Sequence, residues 1–180
     1  MTWTAPMTAV ANSVWTSAQY NTHVRDNFLA SEAAVVTAAG QMVWSTAANT
    51  LAARTPSSAT VATSQTTTST SYTDLTTVGP QVTITTGSVA LVYIGCNISN
   101  STIGAGSLMS YGVTSATTML AADNWCLMWD GSAYASGLAR LGVWHFVSNL
   151  VPGSNIFTAK YKVHTGTGTF LDRELIVYPV

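Results

Sequence analysis

The chain has 180 residues, and Asp, Glu, Lys and Arg make up only 7% of them, against about 25% in an average globular domain. Its six Lys and Arg residues and net charge of −1 argue against nucleic-acid binding, which requires many basic groups to neutralise phosphates. The hydrophobic content of 47% excludes a disordered chain. Threonine dominates the polar residues, and this β-branched residue favours strands.

Residues 1–40 are predicted to form an extended arm followed by one α-helix. The first 15 residues contain Pro6 and two tryptophans, Trp3 and Trp15, and show little periodicity, which indicates an arm. This start has no positively charged segment followed by a long apolar run, so no signal peptide is expected. No apolar run approaches the roughly 20 residues needed to cross a bilayer, so no contact with a membrane is expected either.

The helix is predicted from Ser17 to about Ala38. Thr16 and Gln19 have the spacing of a capping box, and Gly40 follows the last predicted turn. Tyr20, Val24 and Phe28 recur every four residues and give this helix an apolar side.

Three ionisable residues of the same helix lie within four positions, which is unusual in so charge-poor a chain: His23, Arg25 and Asp26. Arg25 and Asp26 are adjacent, so their side chains are expected to point about 100° apart without pairing, whereas His23 can touch Asp26. A catalytic role requires a nucleophile or metal that the segment lacks. A solvated polar face and a specific docking face remain as alternatives.

Residues 41–70 have small side chains and weak alternation and are predicted to be a linker. Residues 71–180 form the predicted β-domain. There the segment 81–86 alternates between apolar and polar residues, whereas 88–99 is apolar on both faces, as in a central strand. About eight such strands, separated by glycine-containing turns, predict a mainly β fold, a jelly-roll-like β-sandwich.

No motif for catalysis, phosphate binding or metal ligation occurs in the sequence, so no enzymatic activity, cofactor or metal is expected. The two cysteines, Cys96 and Cys126, lie in apolar strand-like segments. Buried thiols and a disulfide are both compatible with their spacing.

Two groups of aromatic residues are candidates for recognition. Trp125, Trp129 and Tyr134 flank a turn, where exposed aromatic rings can stack on sugars; a core or subunit-interface role is the alternative. The strands are also more apolar than one sandwich core of this size requires. The surplus predicts a subunit interface, and its members are Tyr93, Trp144 and Phe146.

A third group lies on one strand. Lys160, Lys162 and His164 alternate with apolar residues, which predicts a half-buried strand with one solvated polar face. Contact of these three groups with an acidic partner is the alternative.

Two segments resemble virion structural proteins of tailed phages, notably minor tail and head-associated proteins of actinobacterial phages. The first is WTSAQYNTHVRDNF at residues 15–28, which is similar at Trp15, Ala18, Asn21, Val24, Arg25, Asp26 and Asn27. The second is residues 152–180, similar to the final strands of β-sandwich modules at Pro152, Gly153, Ser154, Asn155, Phe157, Ala159, Tyr161, Asp172 and Arg173. Together the two segments cover about a quarter of the chain.

The resemblance implies a non-enzymatic virion protein that is assembled in the host cytoplasm. The first expectation is a head decoration or minor capsid protein that binds the major capsid protein or other virion proteins. Its docking residues would be Trp3, Trp15, Tyr20, His23, Arg25, Asp26 and Phe28, and its sandwich would form a homotrimer. The alternative is a minor tail or fibre protein whose sandwich binds a host-surface glycan.

Overall fold

In a computed structural model, the described residues are 4–5, 7–8, 12–29, 31, 35–48, 50–131 and 137–180. Trp3 and Tyr134, two of the predicted contact residues, lie outside them. The chain divides into two compact units, residues 1–56 with residue 180, and residues 57–179. We call the first the N-terminal unit and the second the sandwich.

The N-terminal unit begins its helical part at the predicted residue. Helix α1 covers Ser17–Tyr20, a π-helical turn covers Asn21–Arg25, and helix α2 covers Asp26–Leu29. The predicted capping box is present: the Gln19 N–H donates to Thr16 Oγ1 (3.2 Å), and the Thr16 N–H donates to Gln19 Oε1 (2.9 Å).

The helix ends earlier than predicted. A further turn includes Val35, whose N–H donates to the Ser31 carbonyl, but residues 36–38 are not helical. The cause is that a nearby side chain accepts hydrogen bonds from the backbone N–H groups of this segment. Gln41 Oε1 accepts from the N–H groups of Thr37 (2.8 Å) and Ala38 (3.1 Å), which fixes a turn before the first strand.

The segment predicted as a linker, residues 41–70, contains strands instead. Strands β1 (Met42–Ala47) and β2 (Thr50–Arg54) pair as an antiparallel hairpin of the N-terminal unit. Strands β3 (Ser57–Val61) and β4 (Gln65–Thr67) belong to the sandwich, because both pair with its last strand. Their small polar residues give little periodicity, so long-range pairing decides their structure.

The sandwich consists of two antiparallel sheets. Its remaining strands are β5 (Gln81–Thr86), β6 (Val89–Asn100), β7 (Ser107–Ser115), β8 (Leu127–Trp129), β9 (Ala139–Ser148), β10 (Gly153–Val163) and β11 (Gly168–Pro179). One sheet has the order β5-β10-β7-β8, and the other has the order β3-β11-β6-β9, with β4 also pairing β11. The nine antiparallel strands described, four in one sheet and five in the other, have most of their connections crossing between the sheets, as in a β-sandwich of the jelly-roll kind. The mainly β prediction is confirmed.

The core between the sheets is built by alternation. On β10, Phe157, Ala159 and Tyr161 are fully buried, and on β11 the same holds for Leu175 and Val177. All buried hydrophobic side chains among the described residues lie between positions 75 and 177, within the sandwich.

Both cysteines are free thiols. Cys96 is fully buried, and this burial raises its pKa to about 12. Cys126 is half-buried, and its Sγ donates to the Asp123 carbonyl. Of the two sequence-based alternatives, the structure therefore has the reduced form.

A buried arginine of β11 binds residues of β4 and of the loop before β5. A bulge follows Leu171, where Asp172 adopts a positive φ of 48°, and Arg173 is fully buried. Its guanidinium donates to the Gly79 carbonyl (3.3 Å) and to Gln65 Oε1 (3.1 Å), and it lies 5.4 Å from the centre of the Tyr161 ring.

Candidate functional site

The N-terminal arm is held against the helix by one asparagine. Asn27 Oδ1 accepts from the Thr4 N–H (2.8 Å), and Asn27 Nδ2 donates to the Thr4 carbonyl (2.8 Å), so the side-chain amide binds both backbone groups of Thr4. Nδ2 also lies 3.2 Å from the His23 carbonyl. Asn27 is the one buried residue of α2, and a buried amide needs such partners.

The three ionisable residues of the helix have different partners from those predicted. His23 Nδ1 lies 3.2 Å from the Ala5 carbonyl, and because a carbonyl only accepts, Nδ1 carries the proton. Arg25 and Asp26 do pair, contrary to the prediction, with Arg25 Nε donating to Asp26 Oδ1 (2.9 Å). Helix geometry directs neighbouring side chains apart, but the Arg25 side chain is long enough to bend toward Asp26. Both side chains remain about half exposed.

The apolar side of this helix is open to solvent. Tyr20 is 54% exposed and Phe28 is 75% exposed. Other large apolar side chains of the N-terminal unit are also exposed, namely Val14, Trp15, Val24, Leu29, Val36 and Met42. The described part of this unit therefore presents apolar residues outward and buries none of them.

A second apolar surface lies on the outer face of the sheet β3-β11-β6-β9. Strand register pairs Tyr93 with Trp144 and Leu91 with Phe146, and it places Tyr178 opposite Leu91. Trp144 is 51% exposed and Phe146 is 63% exposed. We call this surface the aromatic face; its residues are Leu91, Tyr93, Trp144, Phe146, Ile176 and Tyr178.

The tyrosine of the aromatic face lies over a pair of glycines. Gly95 and Gly142 are register partners on β6 and β9. A Cβ added at Gly142 would lie 2.3 Å from the Tyr93 hydroxyl oxygen, and one at Gly95 would lie 2.7 Å from it. The Trp144 ring packs on the ring of Tyr93 with centroids 5.0 Å apart, and on that of Tyr178 at 5.7 Å. The structure thus brings together the three residues predicted for a subunit interface.

The tryptophans predicted to contact a glycan pack against the core. Trp125 ends a short 3₁₀ turn, Asp123–Trp125, and its Nε1 donates to the Tyr111 carbonyl (3.2 Å). The His145 ring stacks on the Trp125 ring with centroids 5.6 Å apart. Trp129 is partly buried against the core, and its Nε1 is buried. These contacts favour the alternative that the sequence left open, a core role.

His145 also contacts a buried tyrosine. Burial raises the pKa of Tyr111 and lowers the pKa of His145, so the imidazole is neutral and the phenol is protonated. The Tyr111 hydroxyl therefore donates to His145 Nδ1 (2.5 Å). This pair joins the core to β9 beneath the aromatic face.

No catalytic constellation is assembled in the described ranges. They contain no group of three His, Cys, Asp or Glu side chains placed to hold a metal ion. The acids that the structure brings near bases form ion pairs instead: Asp26 with Arg25, Asp74 with Lys160, Asp123 with Lys162, and Glu174 with Arg140. Among the helices described, none is long and apolar enough to cross a membrane.

Sequence reasoning missed the role of Asn27, although this residue belongs to the segment that resembles phage proteins. An asparagine inside a helix is a usable signal, because its amide competes for backbone groups unless it has a specific partner. The partner was not predictable, since Thr4 is 23 residues away.

No protein-family model and no curated protein matches this sequence. Among solved structures, the chain is similar to VP2 of the infectious bursal disease virus subviral particle, with a TM-score of 0.47 and 8% identity over 79% of this chain and 37% of VP2. It is also similar to latent PorU from Porphyromonas gingivalis, with a TM-score of 0.36 and 12% identity over 66% of this chain and 13% of PorU.

A third similar structure is the C-terminal CBM6 of LamC, a laminarinase from Zobellia galactanivorans. The TM-score is 0.33 and the identity 10%, over 68% of this chain and 99% of that module. The chain spans little more than a third of the length of VP2. At these scores the likenesses describe distant β-rich folds and say nothing about the activity of this chain.

Proposed function

We propose that this chain is a non-enzymatic structural protein of a tailed-phage virion, of the head decoration or minor capsid type. In this proposal the N-terminal unit attaches the protein to the particle, and the sandwich projects from it. The observation that carries the proposal is the distribution of buried apolar side chains. All those described belong to the sandwich, so the N-terminal unit has exposed apolar residues to contribute to a partner.

The residues that resemble phage proteins support this interpretation through their contacts. Asn27 fixes the arm on the helix, which holds Tyr20, Val24 and Phe28 on an open side. Arg25 and Asp26, which form an ion pair, follow Val24 directly in the chain. Apolar anchors bordered by polar groups are the usual anatomy of a protein interface.

The aromatic face supports self-association of the sandwich, which we propose to be a homotrimer. Strand β9 forms the edge of its sheet, and its ten residues contain neither lysine nor proline, the residues that normally protect an edge. Aromatic residues are enriched at subunit interfaces, so a second copy that packs on Trp144 and Phe146 buries their exposed rings beside this edge.

Attachment of such a protein to a shell stabilises the shell by mass action. A ligand that binds only the assembled state lowers the free energy of that state by RT ln(1 + [L]/Kd), which is about 2.7 kcal/mol at 100 times Kd. The arrangement needs no catalytic group.

The test is the occupancy of purified particles after mutation of the apolar side. Tyr20→Ser with Phe28→Ser is expected to lower the copy number per particle at least tenfold, measured by quantitative mass spectrometry. Ile103→Ser is the matched control, because Ile103 is an equally exposed apolar residue of the sandwich. Unchanged occupancy of the double variant would refute attachment through this surface.

Immunogold labelling of the same particles distinguishes a head protein from a tail protein. Label on the head is expected for a decoration or minor capsid protein. Label confined to the tail would replace this proposal with a minor tail or fibre protein.

A further inference from the structure

A cavity of about 570 Å³ opens on the outer face of the sheet β5-β10-β7-β8, entirely within the sandwich. Thr158, Lys160 and Lys162 of β10 line it, on the face opposite to the buried Ala159 and Tyr161. Two segments flank these strands, residues 70–72 and residues 118–121.

Both flanking segments are fixed by backbone pairing. Thr73 exchanges two hydrogen bonds with Tyr161 (3.0 and 2.9 Å), and Met119 exchanges two with Val113 (2.9 and 2.8 Å). The cavity is therefore formed before any ligand arrives, which lowers the cost of binding.

Both lysines of the sequence line the cavity, and each already forms an ion pair with an aspartate. Lys160 Nζ lies 2.7 and 2.8 Å from the two carboxylate oxygens of Asp74. Lys162 Nζ lies 2.7 Å from Asp123 Oδ1, and it also lies over the Tyr72 ring at 4.9 Å from its centre. The Lys162 hydrogen bond lowers the pKa of Asp123, so this pair stays ionised at neutral pH.

This charge pattern selects the class of ligand. Asp74 and Asp123 are not among the residues that line the cavity, but their charges compensate those of the lysines, so an anion gains little from the ammonium groups and a cation meets no carboxylate in the lining. A neutral hydroxyl suits this lining, because it accepts from an ammonium and exchanges hydrogen bonds with the serine and threonine hydroxyls. Charge-assisted hydrogen bonds of this kind are stronger than neutral ones.

The remaining lining combines hydroxyl groups with apolar carbons. The hydroxyl side chains are Thr70, Ser71, Thr114, Thr118 and Thr158. Leu120 supplies apolar surface and is 82% exposed at the rim, whereas the Met119 side chain packs against the core. A pyranose ring has both chemistries, hydroxyls around its edge and C–H groups on its faces.

We propose that this cavity binds a neutral saccharide, recognised by Lys160, Lys162 and the lining serine and threonine hydroxyls through its hydroxyls and by Leu120 through its C–H face. Its volume is within the range of about 300–1,000 Å³ that is usual for small-ligand sites. The site differs from the aromatic residues that the sequence suggested for glycan contact. The inference does not rest on the virion proposal, because it concerns the sandwich alone.

The test is NMR titration of the full-length protein with glucose, galactose, mannose and N-acetylglucosamine, each to about 50 mM, well above the millimolar Kd expected for so few contacts. At least one sugar is expected to shift the amide signals of residues 70–72 and 118–121. The shift should survive about 0.5 M NaCl, since a neutral ligand is not screened. Sodium sulfate and galacturonate serve as anionic probes.

Two variants tie the signal to the cavity. Lys160→Met is expected to weaken binding at least tenfold, and Thr118→Trp, which fills the cavity without touching an ion pair, is expected to abolish it. Arg140→Met is the matched control, because Arg140 forms an ion pair with Glu174 on the other sheet, and its effect should stay below twofold. Melting curves confirm that each variant is folded.

Three results would overturn the assignment. They are the absence of any shift with all four sugars, binding of only the anionic probes, and sugar binding that both cavity variants retain.

Discussion

The two units of this chain differ in the burial of their apolar side chains. The sandwich alternates them along its strands, so that Phe157, Tyr161 and Leu175 are fully buried between two sheets. The N-terminal unit has side chains of similar size at helical spacing, yet Tyr20 and Phe28 are exposed. Among the described helical residues of this unit, the one buried side chain is polar, that of Asn27. The same residue types thus stabilise one unit and remain available for contacts in the other.

Truncating one phenylalanine in each unit tests this difference most strongly. Phe157→Ala is expected to lower the free energy of unfolding by about 3–5 kcal/mol, because it opens a cavity in the core. Phe28→Ala is expected to change it by less than about 0.5 kcal/mol, as for other exposed positions. Chemical denaturation measures both values. A cost above about 2 kcal/mol for Phe28→Ala would mean that this ring is part of a core.

The next largest effect on the free energy of unfolding is expected from substitution of the buried Arg173. Arg173→Met is expected to lower the free energy of unfolding by about 2–4 kcal/mol, since it removes the hydrogen bonds of the guanidinium to three backbone carbonyls and to Gln65 Oε1. Arg140→Met, at an exposed ion pair, should cost at most about 1 kcal/mol. Equal costs in urea denaturation would contradict a structural role for the Arg173 hydrogen bonds.

Asn27→Ala should affect the N-terminal unit alone, in contrast to the two substitutions in the sandwich. Losing the contacts with Thr4 and His23 is expected to cost about 1–3 kcal/mol locally. Hydrogen exchange should speed up at residues 4–29 and remain unchanged in the sandwich. Thr22→Ala, at an exposed position on the same helix, is the control, and faster exchange throughout the sandwich would refute a local role.

The smallest effect concerns pH and the His145–Tyr111 pair. Because burial lowers the His145 pKa from 6.5, the unfolded chain binds its proton first as the pH falls. Stability is therefore complete above pH 6.5 and declines below it, by at most about 1.4 kcal/mol per pH unit from this group. His145→Gln should flatten that part of the stability curve, measured by urea denaturation between pH 7 and 5. An unchanged slope would show that another group titrates.

The sequence predicted most of the sandwich, because its strands carry their own signal. The alternation of 81–86 and the apolar run of 88–99 correspond to β5 and β6. Strands β3 and β4 were missed because their polar residues acquire strand structure only by pairing with β11, more than 90 residues later. Likewise, the helix start followed from the local capping box, but its end depended on the Gln41 side chain.

For the candidate sites, the sequence indicated which side chains could take part, but it did not show where the fold places them. Lys160, Lys162 and His164 were assigned to one polar strand face, and the two lysines do share the outer face of β10. What the sequence did not reveal was the cavity, because its flanking segments come from positions 70–72 and 118–121. Tyr93, Trp144 and Phe146 were grouped by surplus hydrophobicity, and strand register brings them together.

The glycine pair beneath Tyr93 has a consequence for the affinity of the association proposed for the aromatic face. A free tyrosine side chain loses rotamer entropy when it is immobilised at an interface, at a cost of about 0.5–1.5 kcal/mol. Here the close approach of the ring to Gly95 and Gly142 and its contact with Trp144 restrict it before any partner arrives. The entropy is lost during folding of the single chain, so a larger share of the contact energy remains for binding.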